Sequence, residues 1–157
     1  MANGKKGYPP VKNFYPQNPE KYAGDISKIK TRSSWEIKFA NYCDKNPSVV
    51  QWNSEDIVIP YWSSADNKQR KYHMDFTMTV RTSTGKLQTY LIEIKPYKQT
   101  IRPEKKQGKR EVAYLNEMYT YQVNMDKWIH AKQYAESQGW IFIILTENEL
   151  YPKGTPK

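Results

Sequence analysis

Cysteine and histidine are scarce in this sequence, which has one Cys and two His among 157 residues. Cys43 alone cannot form an intrachain disulfide, and together with His73 and His130 it is too small a ligand set for a structural zinc site. No apolar run approaches the roughly 20 residues that span a bilayer. The amino terminus, with Lys5, Lys6 and two early prolines, lacks the apolar stretch of a signal peptide. We therefore expect no membrane partner, no secretion by that route and a reducing cytoplasm.

The positive charge is concentrated in two segments, although the formal net charge of the whole chain is +9. Residues 1–32 carry seven Lys and Arg against two acids, and residues 96–112 carry six against two. Both contain several Pro and Gly and are predicted to be loops. Basic loops suit a nucleic acid, because each phosphate they neutralise releases counterions, whereas simple solvation of the loops is the alternative. The candidate nucleic-acid-binding residues are Lys5, Lys6, Lys12, Lys98, Arg102, Lys105, Lys106, Lys109 and Arg110.

The apolar pattern predicts one α/β domain at residues 33–151, preceded by a basic arm at 1–32 and followed by a short tail at 152–157. Its sheet is expected to be mixed, with about four strands. The first predicted element is a helix that begins after Ser33 and ends at Asn46-Pro47, and its apolar stripe comprises Trp35, Phe39, Tyr42 and Cys43. Three strands are predicted to follow, at 56–61, 72–80 and 87–96. A second helix is predicted from about 114 to 138, ending at Gly139, and then a strand at 140–145 that is buried on both faces.

A three-residue turn at Ser83-Thr84-Gly85 would fix the register between two of these strands. With Gly85 in the left-handed conformation, opposed residues have numbers that sum to 168, so Asp75 faces Glu93. One face of this hairpin is then polar and carries Asp75, Glu93 and Lys95, because side chains alternate along a strand. The other face is apolar and pairs Met74 with Ile94, Phe76 with Ile92, and Met78 with Tyr90.

Two opposed carboxylates in a sheet are unfavourable unless a cation separates them. Directly opposed Cβ atoms lie about 4.5–5.5 Å apart, and like charges there destabilise by ~0.2–1 kcal/mol. Mg²⁺ favours one or two carboxylates together with waters and phosphate oxygens, and the Lys95 ammonium, two residues after Glu93, could hold a water. The alternative is an ordinary solvated strand face on which Lys95 alone relieves the repulsion between Asp75 and Glu93.

Two sequence patterns resemble known nucleases. Asp75, followed by Glu93-Ile94-Lys95 and preceded by a helix with Glu36, resembles the PD-(D/E)-x-K superfamily with its restriction-endonuclease-like αβββαβ core, although Met74 replaces the motif's Pro. A longer pattern over residues 32–147 resembles the endonuclease subunits of cut-and-paste transposons. It is still more similar to the head-completion nucleases of large tailed bacteriophages. The pattern comprises Arg32 to Glu36, Ile59-Pro60-Tyr61, Tyr72 to Phe76, Glu93 to Pro96, Gly139-Trp140 and Thr146-Glu147, and the phage likeness adds Gly4 to Tyr8 and Asn18 to Asp25.

The resemblance implies a Mg²⁺-dependent DNA endonuclease, with Mn²⁺ expected to substitute and no nucleotide cofactor. Asp75, Glu93 and the main-chain carbonyl of Ile94 would ligate the metal, Lys95 would position the attacking water, and Glu36 would complete the acidic cluster or support a second ion. The implied role is to trim packaged double-stranded DNA in the host cytoplasm and permit head–tail joining, with capsid portal or neck proteins as partners; retention in the virion is left open. The alternatives are a transposon-end or junction-cleaving subunit and a non-catalytic connector.

Several single residues have two interpretations. Glu36 follows Ser33 in an S-x-x-E capping box, in which it would only reach back to its own helix terminus. His73 could touch substrate, but an exposed strand histidine is commoner. Asn124 and Lys127 could point at phosphate, but a helix cap and a solvated lysine are the commoner outcomes. His130 is predicted to lie on a helix surface and Cys43 in the core.

Overall fold

The described part of the chain, residues 10–153 of a computed structural model, contains a mixed four-stranded sheet and two small antiparallel pairs. The sheet has the order β3-β6-β7-β8, in which only β7 and β8 run parallel. The predicted α/β fold with a mixed sheet of four strands is therefore confirmed. The elements are β1 (Lys12–Asn13), β2 (Lys30–Thr31), α1 (Ser34–Lys45), β3 (Val49–Ser54), β4 (Val58–Ser63), β5 (Lys68–His73), β6 (Phe76–Arg81), β7 (Leu87–Ile94), α2 (Glu111–Gln138), β8 (Ile141–Leu145) and α3 (Glu147–Leu150).

Each face of the sheet is covered by a helix and has its own apolar cluster. On one face, Phe39 and Cys43 of α1 pack with Phe76, Met78 and Ile92 of the sheet. The second cluster contains residues of α2, of the β4–β5 hairpin and of the sheet: Trp128, Ala131, Ala135, Ile59, Tyr61, Tyr72, Met74 and Leu91. Because successive strand residues point to opposite faces, Leu91 and Ile92 belong to different clusters. Within residues 10–153, no helix is long and apolar enough to cross a membrane.

Helix α1 begins and ends as predicted. Ser33 is its N-cap, and its hydroxyl oxygen accepts a hydrogen bond from the N–H of Glu36 at 3.1 Å. Phe39 and Cys43 are buried, but Tyr42 is 48% exposed, so its predicted place on the buried stripe is wrong. Residue 42 lies at the flank of the stripe, because three residues advance a helix by less than a full turn.

Helix α2 is longer than predicted, since it begins at Glu111 instead of about 114. It ends at Gly139, which has the left-handed φ of 75° that the turn requires. The following strand, β8, was predicted to be buried on both faces, and this is wrong. It pairs only with β7 at one edge of the sheet, and Ile141 is 44% exposed.

The register of the β6–β7 hairpin is confirmed. Phe76 pairs with Ile92 and Met78 with Tyr90, so the residue numbers sum to 168 as expected. Gly85 has a φ of 82°, which fits the left-handed position of the turn. The prediction of one continuous strand at 72–80 is wrong, because β5 ends at His73 and β6 begins only at Phe76.

The break at Met74-Asp75 turns the chain from the β4–β5 hairpin into the main sheet. The N–H of Met74 donates to the carbonyl oxygen of Ile57 at 2.9 Å. Its side chain packs in the cluster that contains Leu91, so the predicted pairing of Met74 with Ile94 on the α1 face is wrong. The strand predicted at 56–61 corresponds to β4, which pairs with β5 outside the main sheet.

The first strand of the main sheet, β3, was not predicted. Its sequence, Val49–Ser54, has only two buried apolar side chains, Val49 and Trp52, and no clear alternation. β3 is identified as a strand by its backbone pairing with β6, in which Trp52 lies opposite Met78 and Asn53 opposite Thr77.

The segment 10–32 packs on the α1 side of the molecule. Phe14 and Ile29 are buried in that core, and both carboxylate oxygens of Asp44 accept backbone N–H groups, from Gln17 and Asn18, at 2.9 Å. The expectation of a loop is wrong at β1 and β2, which pair with each other. The boundary at residue 32 stays a prediction.

Candidate active site

Asp75 and Glu93 are brought together by the confirmed register of β6 and β7. Phe76, the first residue of β6, lies opposite Ile92, and Asp75 directly precedes it. The Oδ2 atom of Asp75 accepts the N–H of Ile94 at 2.7 Å. The predicted meeting of two carboxylates from neighbouring strands is therefore present in the structure, at the point where β6 begins and β7 ends.

The two acids influence each other electrostatically. Burial raises the pKa of Asp75 well above its usual range, and the neighbouring Glu93 carboxylate raises it further. The hydrogen bond from the N–H of Ile94 acts in the opposite direction. Because a buried charge beside a like charge is costly, the Asp75 carboxylate would be stabilised by a nearby cation.

Glu93 combines deep burial with an unused oxygen. Its side chain is 6% exposed, and its Oε1 lies 3.2 Å from the Nζ of Lys95. The other oxygen, Oε2, is buried and has no hydrogen-bond partner among residues 10–153. Buried carboxylate oxygens are rarely left without a partner, so Oε2 is free to take a cation or a water.

This ligand set fits a hard divalent cation that keeps part of its water shell. Among residues 10–153, no group of three or more His, Cys, Asp or Glu is placed to hold an ion, which does not suit a structural zinc site. Mg²⁺ needs only one or two carboxylates besides waters and phosphate oxygens. The N–H of Ile94 donates to the Asp75 carboxylate, and the Ile94 carbonyl as a third ligand stays a prediction.

Glu36 lies beside this pair, and part of its carboxylate is already engaged. Its Oε2 accepts the N–H of Arg32 at 2.5 Å, one residue before the Ser33 that the capping box would use. Burial raises the pKa of Glu36, and the carboxylates of Glu55 and Glu93 add to the rise. Glu36 is thus tied to the start of α1 and also close to the acidic pair, and its role at a metal stays a prediction.

Arg32 and Glu55 are neighbours of the site that were not identified as site residues from the sequence. The guanidinium of Arg32 pairs with both Glu55 oxygens, with Nε–Oε1 at 2.8 Å and Nη2–Oε2 at 3.2 Å. The N–H of Glu55 donates to the carbonyl of Asp75 at 3.1 Å, and Glu55 has a φ of 55°. Arg32 stood in the family pattern, whereas Glu55 follows the strand that the apolar pattern did not show.

Helix α2 adds a second lysine on the same side of the sheet. The Nζ of Lys127 lies 5.3 Å from the ring centroid of Tyr72. Burial lowers the pKa of Lys127, and the positive charge of Lys95 lowers it further. The Tyr72 hydroxyl is buried and has no hydrogen-bond partner in the described part of the chain, and burial and the Glu93 carboxylate raise its pKa. Lys127 is therefore half-buried, and the interpretation of a solvated lysine is wrong.

Asn124 lies one turn before Trp128 in the interior of α2, so its interpretation as a helix cap is wrong. Its side chain is 4% exposed. His73 is exposed on β5, and Cys43 is fully buried as expected. The Nδ1 of His130 lies 2.7 Å from the carbonyl oxygen of Asp126. Trp128 is buried one helical turn after Asn124, and this spacing could have indicated that Asn124 is buried too.

The basic loop at 96–110 forms one wall of a cleft against α2 with a volume of about 780 Å³. Lys109 donates to Glu117 at 2.9 Å, whereas Lys105 pairs with Glu111 and Arg110 is the N-cap residue of α2. Lys12 is exposed on β1, and Lys5 and Lys6 lie outside the described residues. Four of the predicted nucleic-acid-binding residues line the cleft: Lys98, Arg102, Lys106 and Lys109.

Two comparisons with known proteins match this chain. A family model described as TnsA-like endonuclease N terminal matches residues 46–147, a range that includes Asp75, Glu93 and Lys95 but not Glu36. The chain is also 45% identical over 144 residues to the head completion nuclease of Enterobacteria phage T4, and the match covers 90% of this chain and 93% of the relative.

Proposed function

The chain belongs to the TnsA-like endonuclease family, and on that premise we propose that it is a metal-dependent DNA endonuclease that acts in phage head completion. The similarity to a phage head completion nuclease over nearly the whole of both chains supports this role. The substrate is packaged double-stranded DNA, which the enzyme trims in the host cytoplasm so that the head can join the tail. The portal or neck proteins of the capsid are its partners.

The observation that carries the metal dependence is the unpartnered Oε2 of the buried Glu93, next to Asp75. These two carboxylates would hold Mg²⁺, with the Ile94 carbonyl as a third ligand, and Mn²⁺ would take its place. The ion, when bound, would stabilise negative charge on the phosphate that is attacked. In its absence the same carboxylates only repel each other.

Lys95 has the central role among the side chains of this site. Its ammonium carries three N–H donors and forms an ion pair with Glu93, with Nζ 3.2 Å from Oε1. These donors would orient the attacking water in line with the leaving 3′ oxygen, and the positive charge would offset charge on the pentacovalent phosphate. The reaction is a direct hydrolysis with no covalent enzyme intermediate, since no nucleophilic side chain is needed.

The cationic side chains of the cleft would hold the DNA backbone. Lys98, Arg102 and Lys106 are exposed along the loop and would contact phosphates, which positions the duplex without selecting a sequence. Cutting is therefore expected at many sequences.

The test is a cleavage assay on linear and circular duplex DNA with Mg²⁺ or with EDTA. Wild type should linearise the circle with Mg²⁺ and leave it intact with EDTA. Lys95→Ala should lose cutting, whereas Lys132→Ala, which removes an exposed lysine of α2, should cut like wild type. Full activity of Lys95→Ala would contradict the proposed role of Lys95 and favour the alternative that this is an ordinary solvated strand face. Cutting restricted to one particular DNA end would favour a transposon-end nuclease instead.

A further inference from the structure

The lining of the basic cleft contains a buried side-chain amide group that no residue of the described part of the chain satisfies. Asn124 lines the cleft and is 4% exposed. Its Nδ2 atom is buried and has no hydrogen-bond partner within residues 10–153. A buried donor without an acceptor destabilises the fold, so its position at a cleft suits an acceptor that comes from outside the protein.

The neighbouring buried carboxylate of the same helix shows the usual arrangement. Asp126 accepts the N–H and the hydroxyl of Ser64 with Oδ2, at 2.8 and 2.7 Å. Its Oδ1 accepts the side-chain amide of Gln122 at 3.1 Å. In contrast to Asp126, the Nδ2 of Asn124 has no acceptor among residues 10–153, although the residue lines the cleft. An acceptor from outside the protein would satisfy it.

The charge of the cleft indicates which kind of acceptor would bind. Four cationic side chains line it, and Lys109 is paired with Glu117. Among the described residues, the only other acid in the lining is Glu104, so these walls have a positive excess. An anion with several acceptor oxygens, such as a backbone phosphate, fits these walls.

The position of Asn124 along α2 relates this anion site to the catalytic acids. Lys127 lies three residues further on, on the same side of the helix, and it is close enough to Glu93 and Lys95 for their charges to act on it. One helical turn corresponds to about 5.4 Å. A phosphate at Asn124 would therefore be near the scissile phosphate and distinct from it.

We propose that the side-chain amide of Asn124 donates a hydrogen bond to a phosphate of the cut DNA strand, a short and fixed distance from the scissile bond. This inference rests on the proposed function, because it takes DNA as the substrate. It makes Asn124 a positioning residue that holds the strand in register with Asp75 and Glu93.

The experiment places single methylphosphonates, which lack the phosphate charge, at known positions in linear duplexes and maps the cuts made with Mg²⁺. With wild type, each modification should suppress cutting at its own bond and at the fixed offsets of the phosphates held by the cationic side chains of the cleft, and one further offset, nearest to the scissile bond, is assigned to Asn124. With Asn124→Leu, the suppression at that offset should disappear, and cutting of unmodified DNA should fall about tenfold, the loss expected for one hydrogen bond to a charged group.

Three controls separate this role from a structural one. Gln133→Leu, at an exposed position of α2, should keep the wild-type pattern. Asn124→Leu should melt at or above the wild-type temperature, because it removes a donor without a protein partner. Asn124→Asp, which keeps the size of the side chain but replaces the donors by acceptors, should also lose the offset suppression.

Two results would overturn the inference. If wild type cuts normally and the Asn124 variants still show the suppression of cutting at the offset assigned to Asn124, then Asn124 does not hold a phosphate. The proposed nuclease function is unaffected by that result. If wild type cuts no DNA with Mg²⁺ or Mn²⁺, the proposed function fails, and this inference fails with it.

Discussion

At the scale of single residues, the site is defined by two buried carboxylates, Asp75 and Glu93, whose oxygens have fewer hydrogen-bond donors and cations around them than buried carboxylates usually have. Asp75 receives one hydrogen bond, from the N–H of Ile94, and Glu93 has one close cation, Lys95, and one unpartnered oxygen. Such an arrangement is unfavourable for the folded state alone. It is expected where function requires a cation to bind.

The first prediction is that Asp75→Asn stabilises the protein while it abolishes cutting. The raised pKa of Asp75 means that ionisation opposes folding, so this cost is present above the ordinary pKa of an aspartate and disappears below it. In EDTA at neutral pH, the free energy of unfolding of Asp75→Asn, measured with urea, should be higher than that of wild type. Near pH 4 the two curves should converge.

Asp66→Asn is the control with the opposite sign. The Arg70 guanidinium lowers the pKa of Asp66, so loss of that charge should not stabilise the fold. An Asp75→Asn variant that is less stable than wild type at neutral pH would contradict the claim that ionisation of Asp75 opposes folding.

The residues of the site could be predicted to the extent that they follow short-range rules. The turn at Gly85 and a period of two were enough to bring Asp75 to Glu93. Glu55 was not identified as a site residue, because it reaches the site through a backbone bend with a φ of 55°. Such a conformation is uncommon for a non-glycine residue and has no signature in the sequence. Arg32 was not identified either, since its partner in the site is Glu55.

At the scale of elements, the β4–β5 hairpin determines where the site begins. Two residues after β5 ends, the chain reaches Asp75, and the hairpin is fastened to α2 through the Asp126 carboxylate, which accepts two hydrogen bonds from Ser64. The sequence showed an apolar run for β4 but not its partner, since β5 is mostly exposed and charged. Because the pairing of β4 with β5 was not visible in the sequence, β4 was wrongly counted among the strands of the main sheet.

The second prediction concerns this fastening. Asp126→Ala leaves the Ser64 N–H and the Gln122 amide without their acceptor, so the free energy of unfolding should fall by about 1–3 kcal/mol. Cutting should also fall, because the hairpin leads directly to Asp75. Ser64→Ala, which keeps the backbone N–H bond to Asp126, should lose less in both urea unfolding and cleavage rate. Equal losses in the two variants would contradict this role of the backbone bond.

At the scale of the whole molecule, the excess of positive charge agrees with a DNA substrate. The net charge is +9, and the family assignment confirms the prediction of a nuclease. Charge could be read from the sequence because it needs no fold. The packing of segment 10–32 could not, since it depends on the Asp44 carboxylate meeting Gln17 and Asn18, more than 25 residues away in the chain.

The third prediction is that DNA affinity depends strongly on salt through the cleft. Each phosphate contact removed should reduce the slope of log affinity against log salt by about one. Arg102→Ala and Lys106→Ala should each show this reduction in fluorescence anisotropy titrations with EDTA, and Lys132→Ala should not. Lys12→Ala measures the contribution of segment 10–32 in the same assay. Unchanged slopes for both cleft variants would place the DNA elsewhere.

The fourth prediction tests the metal site itself, by calorimetric titration of the folded protein with Mn²⁺. Wild type and Lys132→Ala should bind the ion with the same affinity, and Asp75→Asn and Glu93→Gln should lose this binding while they keep a cooperative thermal transition. This is the most direct test of the claim that the two acids share a divalent cation. Wild-type Mn²⁺ affinity in a folded Glu93→Gln variant would contradict it.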